Sequence, residues 1–294
     1  MTQDTLTPEI KNTEEKKSVF GVIVHSFFVV PFLIAIFSVL LYASVRILTM
    51  ENRTVYDYLQ DVKVGGITKR WQSAFELSKI LANSKLVPTE NRFETELIDI
   101  FEKSVDDDPR VRQYLALAMG RTGNQNYASS LIKNLTNEKD ENLTAFIYSL
   151  GILKSIQAVD PLIMQLKSDN PRVRLVSTMA LGSIAGDKAI RSLKEMLSDP
   201  EPNVQWEAAV ALAKNQNGAG KELILKLLDR NYLSQFSNVD PEEQTHVMIT
   251  AIQSAAQLRD DQLATRFEEI SKSDKNMKVR DAAFRALESY RKSS

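Results

Sequence analysis

Residues 170–182 read NPRVRLVSTMALG, and 31 positions later residues 201–213 read EPNVQWEAAVALA. The same arrangement stands earlier in the chain as DPRVRQYLALAMG in residues 108–120. Each segment begins with a polar residue and a proline and ends in small and apolar residues. A pattern that returns at one fixed period is typical of repeat architectures, in which each unit packs against its neighbours.

Two further columns of residues keep this period. A small residue closes each segment, and an aliphatic residue follows it eleven positions later. The small residues are Gly120, Gly151, Gly182 and Ala213, and the aliphatic residues are Leu131, Leu162, Leu193 and Ile224. A leucine stands four positions after each aliphatic residue, which is the spacing of one helix face.

Each repeat is therefore predicted to consist of two α-helices. The first helix begins beside a proline, at Asp108, Asn170 or Glu201. Asp and Asn cap helix N-termini well, and proline suits the first turn because its missing N–H has no partner there. The small residue near its end permits close helix packing and a tight exit. The second helix carries the leucines.

The same pattern extends in both directions, which predicts an all-α chain. Residues 70–79 (RWQSAFELSK) resemble residues 205–214, and residues 279–287 repeat the first helix once more. We therefore expect an α-α superhelix over residues 69–292. It should contain about six helix pairs and a final helix, with an insertion at residues 230–243.

The quoted segments resemble HEAT repeats of the short type found in phycobilisome lyases, over roughly residues 69–290. The resemblance implies a stacked solenoid. It also implies a ladder of Asp and Arg residues that links neighbouring repeats near the start of the first helices. The residues that match this ladder are Asp108 with Arg112 and Asp169 with Arg174. Gln205 replaces the arginine in the next copy, so the ladder should be interrupted there.

A long apolar run precedes the repeats, because residues 18–45 contain no formal charge. As a helix, 28 residues would span roughly 42 Å, more than the hydrocarbon core of about 30 Å. We predict a transmembrane helix at residues 18–48, between a polar tail at residues 1–17 and a linker with a short helix at residues 49–68. A cleaved signal peptide, whose apolar region has about 7–15 residues, and a buried core helix are the alternatives.

This run predicts a single-pass membrane protein, and we expect the inner membrane of a bacterium. Three basic residues flank the span on each side, so the positive-inside rule does not decide the orientation (Lys11, Lys16 and Lys17; Arg46, Arg53 and Lys63). We favour the tail in the cytoplasm and the repeats on the far side. The linker is expected to be a juxtamembrane hinge or a cap over the first repeat.

Composition excludes many kinds of catalytic site. The absence of cysteine from the sequence excludes disulfides, thiolate zinc sites and a cysteine nucleophile. The two histidines, His25 and His246, form no His-Glu dipeptide of the kind that holds iron in deoxyhypusine hydroxylase, a relative by fold. We expect no catalytic residue, cofactor, metal or small-molecule substrate. An enzyme or maturation factor of the phycobilin lyase type is the alternative.

The charge balance argues against nucleic acid as a partner. Lys and Arg number 37 against 38 Asp and Glu, and the first 50 residues contain four of each sign. Along the second helices, the signs are mixed at Lys133, Met164, Glu195 and Lys226. A basic face for phosphate contacts is therefore not expected.

These exclusions favour a non-catalytic scaffold that binds a protein partner at the membrane surface. The insertion contains candidate partner-binding residues, namely Tyr232, Leu233 and Phe236. Exposed aromatic residues on a loop are plausible anchors for a partner. Alternatively, these residues fold back and cover the join between repeats, which is the interpretation that we favour.

Overall fold

The computed structural model describes residues 25–49, 53–136, 138–237 and 239–292. It divides the chain into two units, Met1–Arg53 and Thr54–Ser294. The predicted polar tail, the first residues of the predicted span (18–24) and residues 50–52 lie outside the described residues.

The first unit contains one long apolar helix. A π-helical turn, His25–Val29, leads directly into α1, Val30–Thr49. Within these two elements, Phe27–Leu48 has 22 residues, a mean hydropathy of 2.5 and no buried residue. Pro31 is the second residue of α1, so the change from π-helix to α-helix coincides with the residue that has no N–H to donate to the preceding turn. This helix is long and apolar enough to cross a membrane. A signal sequence or the core helix of a soluble protein can have the same length and composition.

The second unit is helical, without a strand in the part that the structure describes. Four single turns of 3-10 helix connect some of its α-helices (Ser84–Leu86, Gln125–Tyr127, Ile156–Ala158 and Gly218–Gly220). The α-helices are α2 (Val55–Val64), α3 (Ile67–Ile80), α4 (Asn91–Lys103), α5 (Pro109–Arg121), α6 (Ala128–Lys133), α7 (Asp140–Leu153), α8 (Val159–Gln165), α9 (Pro171–Ile184), α10 (Asp187–Met196), α11 (Pro202–Lys214), α12 (Lys221–Leu227), α13 (Arg230–Leu233), α14 (Pro241–Ala255), α15 (Asp261–Ser273) and α16 (Met277–Lys292).

From α3 onward, these helices alternate as first and second members of a pair. Helices α3 to α12 form five pairs, α14 and α15 form a sixth, and α16 ends the array. First helices start as the proline pattern predicts: the Asp108 and Asn170 side chains accept hydrogen bonds from the backbone N–H two residues later, at 3.0 and 2.9 Å. At Glu201 no side-chain cap forms, and the Asp199 carboxylate accepts the Glu201 N–H instead, at 2.9 Å.

The first helices pack directly on one another, and the periodic glycines lie at their contacts. A Cβ atom placed on Gly151 would lie 2.8 Å from the Cα atom of Ala180, and one on Gly120 would lie 2.7 Å from the Cβ atom of Ser149. Any side chain larger than hydrogen would therefore push neighbouring repeats apart. The glycines are needed for this close approach.

The sequence predicts that the chain leaves the first helix through a tight turn at these glycines. In the structure this turn lies three residues later. Backbone φ angles are positive at a second column with the same period: Gly123 (73°), Lys154 (52°), Ala185 (64°) and Gln216 (55°). Only one of these residues is glycine, so the others hold a conformation that L residues disfavour. Residue type alone therefore does not reveal the position of this turn.

The second helices supply the other side of a continuous core. Leu131, Leu162, Leu193 and Ile224 are all fully buried. Several second helices have only six or seven residues, too few to be stable in isolation. Their stability therefore depends on packing against the neighbouring first helices.

Helix α2 covers the first pair. A capping box at Thr54 and Asp57 starts it, and Leu59 and Val62 are fully buried. The Arg70 side chain donates a hydrogen bond from Nε to the Val62 carbonyl at 2.7 Å. The linker was expected to be a juxtamembrane hinge or a cap over the first repeat. These contacts place residues 55–64 on the first repeat, as a cap would lie.

Candidate binding groove across the first helices

A groove with a cavity volume of about 580 Å³ crosses three successive first helices, α5, α7 and α9. Its lining comes from the outward faces of these helices, between the buried positions that build the core. Because the helices are related by the repeat period, each contributes residues from the same columns. The groove is therefore a product of stacking, and one helix pair alone does not form it.

One edge of the groove is apolar. Leu117, Tyr148 and Met179 lie on it, one from each repeat, and Tyr148 and Met179 are 43% and 38% exposed. Phe75 on α3 and Tyr114 on α5 form an edge-to-face aromatic pair with ring centroids 5.1 Å apart. An exposed row of large apolar side chains is the kind of surface that protein partners cover.

The other edge is polar and is built at the N-terminal ends of α7 and α9. Asn170 donates a hydrogen bond to the Asp140 carboxylate at 2.8 Å, and the Gln113 amide donates to the Glu141 carbonyl at 3.2 Å. The Glu141 carboxylate and the Arg172 guanidinium, both exposed, have no hydrogen bond or ion pair to any described residue. The groove thus offers apolar contacts along one side and free charges of both signs along the other.

The arginines expected in the ladder are among the least exposed charged side chains, and their acidic partners differ from the expected ones. Arg112 donates from Nε to Glu138 at 2.5 Å and from Nη2 to Asn134 at 2.9 Å. Its Nη1 donates to the Phe101 carbonyl at 2.8 Å. Asp108 pairs instead with Arg110, at 2.6 Å, outside the core.

Arg174 repeats this arrangement two repeats later. Its Nε and Nη2 atoms donate to both oxygens of Asp199, at 2.8 and 2.9 Å, and its Nη1 donates to the carbonyls of Ser168 and Asp169. Burial is the largest single influence and disfavours the Asp199 anion, but the hydrogen bonds from Arg174 and from the Glu201 backbone N–H, together with the Arg174 charge, outweigh it and lower the pKa of Asp199. The Asp169 carboxylate is not the acceptor.

The two arginines share a geometric reason for their choice of partner. Each points towards the segment that follows the second helix of its own repeat, and that segment holds the acidic residue, Glu138 or Asp199. A whole helix separates each arginine from its partner in sequence, so the two meet only after the repeat has folded. Arg230 and Asp274 form a similar half-buried pair further along, at 2.8 Å.

The insertion covers the join between repeats. Leu233 is fully buried, so it cannot serve as an exposed anchor for a partner. Phe236 packs edge-to-face on Trp206 with centroids 4.8 Å apart, and Tyr232 lies against both rings. The Trp206 indole N–H donates to the Tyr232 hydroxyl at 3.3 Å. Tyr232, Leu233 and Phe236 thus form a cover at Trp206, where the period is interrupted, which is the alternative that the sequence analysis favoured; partner binding by Tyr232 and Phe236 stays a prediction.

The groove residues Tyr148 and Met179 were not among the residues singled out from the sequence. Their signal was nonetheless present: the column Leu117, Tyr148 and Met179 keeps large apolar side chains at the repeat period. The charged positions that the sequence analysis named lie on the second helices, which do not line the groove. Within the described ranges, no group of three or more His, Cys, Asp or Glu side chains is arranged to hold a metal.

Comparison with known proteins agrees with this architecture. Residues 94–182 and 159–235 match the family model for HEAT repeats. These residues are HEAT repeats. The HEAT array has the fold seen in the complex of CpcE and CpcF of phycocyanin lyase from Nostoc sp. PCC7120, with a TM-score of 0.58 and 20% identity over 81% of this chain and 88% of that chain.

Two further matches are weaker. YibA from Escherichia coli has a TM-score of 0.49 and 18% identity over 84% of this chain and 85% of that one. Deoxyhypusine hydroxylase-B from Oryza sativa subsp. japonica is 43% identical over 68 residues, which is 22% of either protein, so the chain matches only about a fifth of the rice protein's length. Proteins similar to this HEAT array include a lyase and a hydroxylase, and the fold is compatible with catalytic and non-catalytic roles alike.

Proposed function

We propose that this protein is a non-catalytic scaffold whose HEAT array binds a protein partner in the groove across α5, α7 and α9, close to a membrane in which residues 18–48 are anchored. The observation that carries the proposal is the apolar column of Leu117, Tyr148 and Met179, of which the last two are exposed, in the same groove as the free charges of Glu141 and Arg172. An apolar centre with a polar border is the usual anatomy of a protein interface.

The chemistry of the groove supports a protein partner over nucleic acid. Glu141 and Arg172 stand at the same position in neighbouring repeats, so the free charges in the groove alternate in sign from one repeat to the next. A surface on which positive and negative side chains alternate does not favour the binding of a polyanion such as nucleic acid, because that binding requires many cations close together. They do favour a surface that carries both signs, as protein surfaces do.

The apolar helix supports the membrane part of the proposal. Phe27–Leu48 exposes its side chains and is long enough for a hydrocarbon core of about 30 Å. Such a helix, if retained, keeps the array within a short tether of the bilayer, because Thr54 begins the folded unit soon after Leu48 in the chain. The expected location is therefore a membrane, crossed once.

Site-specific photocrosslinking tests the groove. A photoreactive phenylalanine analogue at Met179, in the full-length protein in its own membranes, should yield one discrete protein adduct. The same analogue at Met164, which is 69% exposed but does not line the groove, is the matched control and should yield none. Replacing Tyr148 by Ala should abolish the Met179 adduct without lowering the melting temperature by more than a few degrees, because its side chain is already exposed.

Two results would contradict the proposal. Equal crosslinking from Met164 and Met179 would show that the groove is not a preferred surface. Release of the full-length chain from membranes by alkaline carbonate would show that residues 18–48 do not anchor it. The first result concerns the binding site and the second concerns the membrane, so each part of the proposal can fail separately.

A further inference from the structure

A second cavity, of about 280 Å³, lies near the start of the array and away from the groove. It is enclosed by the segment before α4, by α4 itself and by the turn after α5. Its polar lining includes Glu90, Glu94, Asn124 and Tyr127. No lysine, arginine or histidine lines it.

Tyr127 is exceptional among the repeats. The equivalent positions in the next three repeats are Ala158, Ala189 and Gly220, where a small residue fits between helices. Tyr127 is 2% exposed, and its hydroxyl has no hydrogen-bond partner among the described residues. Burial, helped by the nearby Glu94 carboxylate, raises the pKa of Tyr127, so the phenol stays protonated at physiological pH. The side chain is thus almost wholly buried while it lines the cavity, and a hydroxyl without a protein partner at such a place is a group to which a ligand can hydrogen-bond.

The two carboxylates beside it carry charge without a counterion. Glu94 accepts hydrogen bonds from the side-chain amides of Asn124 and Asn126, at 2.6 and 3.0 Å. Glu90 accepts one from the Tyr56 hydroxyl. These donors are neutral, and neither carboxylate forms an ion pair with a described residue. The amides hold Glu94 in place and leave its charge uncompensated.

We propose that this cavity binds a cationic nitrogen group, either a primary ammonium or a guanidinium. The cation lies between the Glu94 and Glu90 carboxylates and donates a further hydrogen bond to the oxygen of the Tyr127 hydroxyl. The volume is sufficient for the butylammonium end of a lysine side chain. The group is carried by a free amine or by a Lys or Arg side chain of another protein, and the chemistry of recognition is the same in both cases.

Calorimetric titration of the full-length protein in detergent tests this site, with n-butylammonium chloride as the probe and n-butanol as the neutral control. We expect saturable binding of one butylammonium per chain and no saturable heat with butanol. Glu94→Gln should weaken binding about tenfold, and Tyr127→Phe by several-fold, as expected for lost hydrogen bonds to a charged group. Glu195→Gln removes the same charge from an exposed position on α10 that lines neither the groove nor this cavity, and it should leave the affinity unchanged.

A second titration separates the two sources of the cation. A blocked Gly-Lys-Gly peptide that competes with butylammonium supports a protein side chain as the natural ligand, whereas failure of the peptide to compete supports a free amine. Absence of saturable binding by either probe would overturn the proposal, as would equal weakening by Glu195→Gln and Glu94→Gln. Tyr127→Phe keeps the buried ring, so its result is informative even if Glu94→Gln fails to fold.

Discussion

Replacing Arg112 by Met removes the charged centre of a junction between repeats. The Arg112 side chain is only 3% exposed, and it joins the end of α4, α5 and the segment after α6 through Phe101, Glu138 and Asn134. Its guanidinium also stacks on the rings of Phe101 and Phe146, at 4.6 and 5.2 Å from their centroids. Methionine has a similar length and can fill most of the space. The main loss is therefore that of the ion pair and the hydrogen bonds of the guanidinium.

The expected magnitude follows from what the methionine leaves behind. Removing one partner of a buried ion pair costs about 3–5 kcal/mol, because the other charge stays buried without compensation. Here that partner is Glu138, whose side chain is 11% exposed. At about 2–4 °C per kcal/mol for a unit of this size, the melting temperature should fall by about 10 °C.

Thermal unfolding of the full-length protein, followed by circular dichroism at the helix band, measures this effect. Arg110→Met is the matched control, because it removes the same residue type two positions away on the same helix. Its pair with Asp108 is half exposed and worth at most about 1 kcal/mol, so we expect its melting temperature to fall by no more than about 4 °C. Adding Glu138→Gln to Arg112→Met should recover part of the loss, since a neutral amide no longer needs a cation. The reasoning would be refuted if Arg112→Met melted with the parent, or if Arg110→Met lost as much stability.

Two further predictions concern packing and pH. Gly151→Ala should destabilise the array by about 1–3 kcal/mol in urea unfolding, because its Cβ would lie 2.8 Å from the Ala180 Cα, whereas Gly218→Ala meets no atom within 4 Å and should be neutral or stabilising. An equal effect of the two substitutions would contradict the packing argument. The pKa of Asp199 is lower in the folded protein than its unfolded value of about 3.9, since the hydrogen bonds from Arg174 and the Glu201 N–H and the charge of Arg174 together outweigh burial. Ionised Asp199 therefore stabilises the fold above that pH, and its contribution is lost as the pH falls through the native pKa. The difference in unfolding free energy between the parent and Asp199→Asn should shrink between pH 6 and pH 3, and a difference that is constant with pH would show that this pair does not titrate as described.

The repeat period could be read from the sequence because it is a local and redundant signal. Prolines at helix starts, small residues near helix ends and the column containing Leu131 and Leu162 all returned at one spacing. Each depends on helix capping or helix packing, which act over a few residues. The helices that the structure shows, from α5 to α12, follow that period.

The acidic partners of Arg112 and Arg174 could not be read in the same way. Several carboxylates lie near each arginine in sequence, and only the direction of the side chain after stacking chooses Glu138 and Asp199. The aromatic residues of the insertion were ambiguous for a similar reason. Whether Phe236 faced solvent or the protein depended on the position of Trp206, which lies on the preceding first helix, α11.

The sequence alone determined that this chain contains helical repeats preceded by one apolar helix, because helix caps, periodic apolar residues and an uncharged run are properties of short segments. Only the tertiary structure shows which surfaces can receive a partner or a ligand. The groove beside Tyr148 and Met179, and the cavity under Tyr127, exist only where neighbouring repeats meet. Their geometry depends on the close approach of helices at Gly120 and Gly151, a distance that no single repeat encodes.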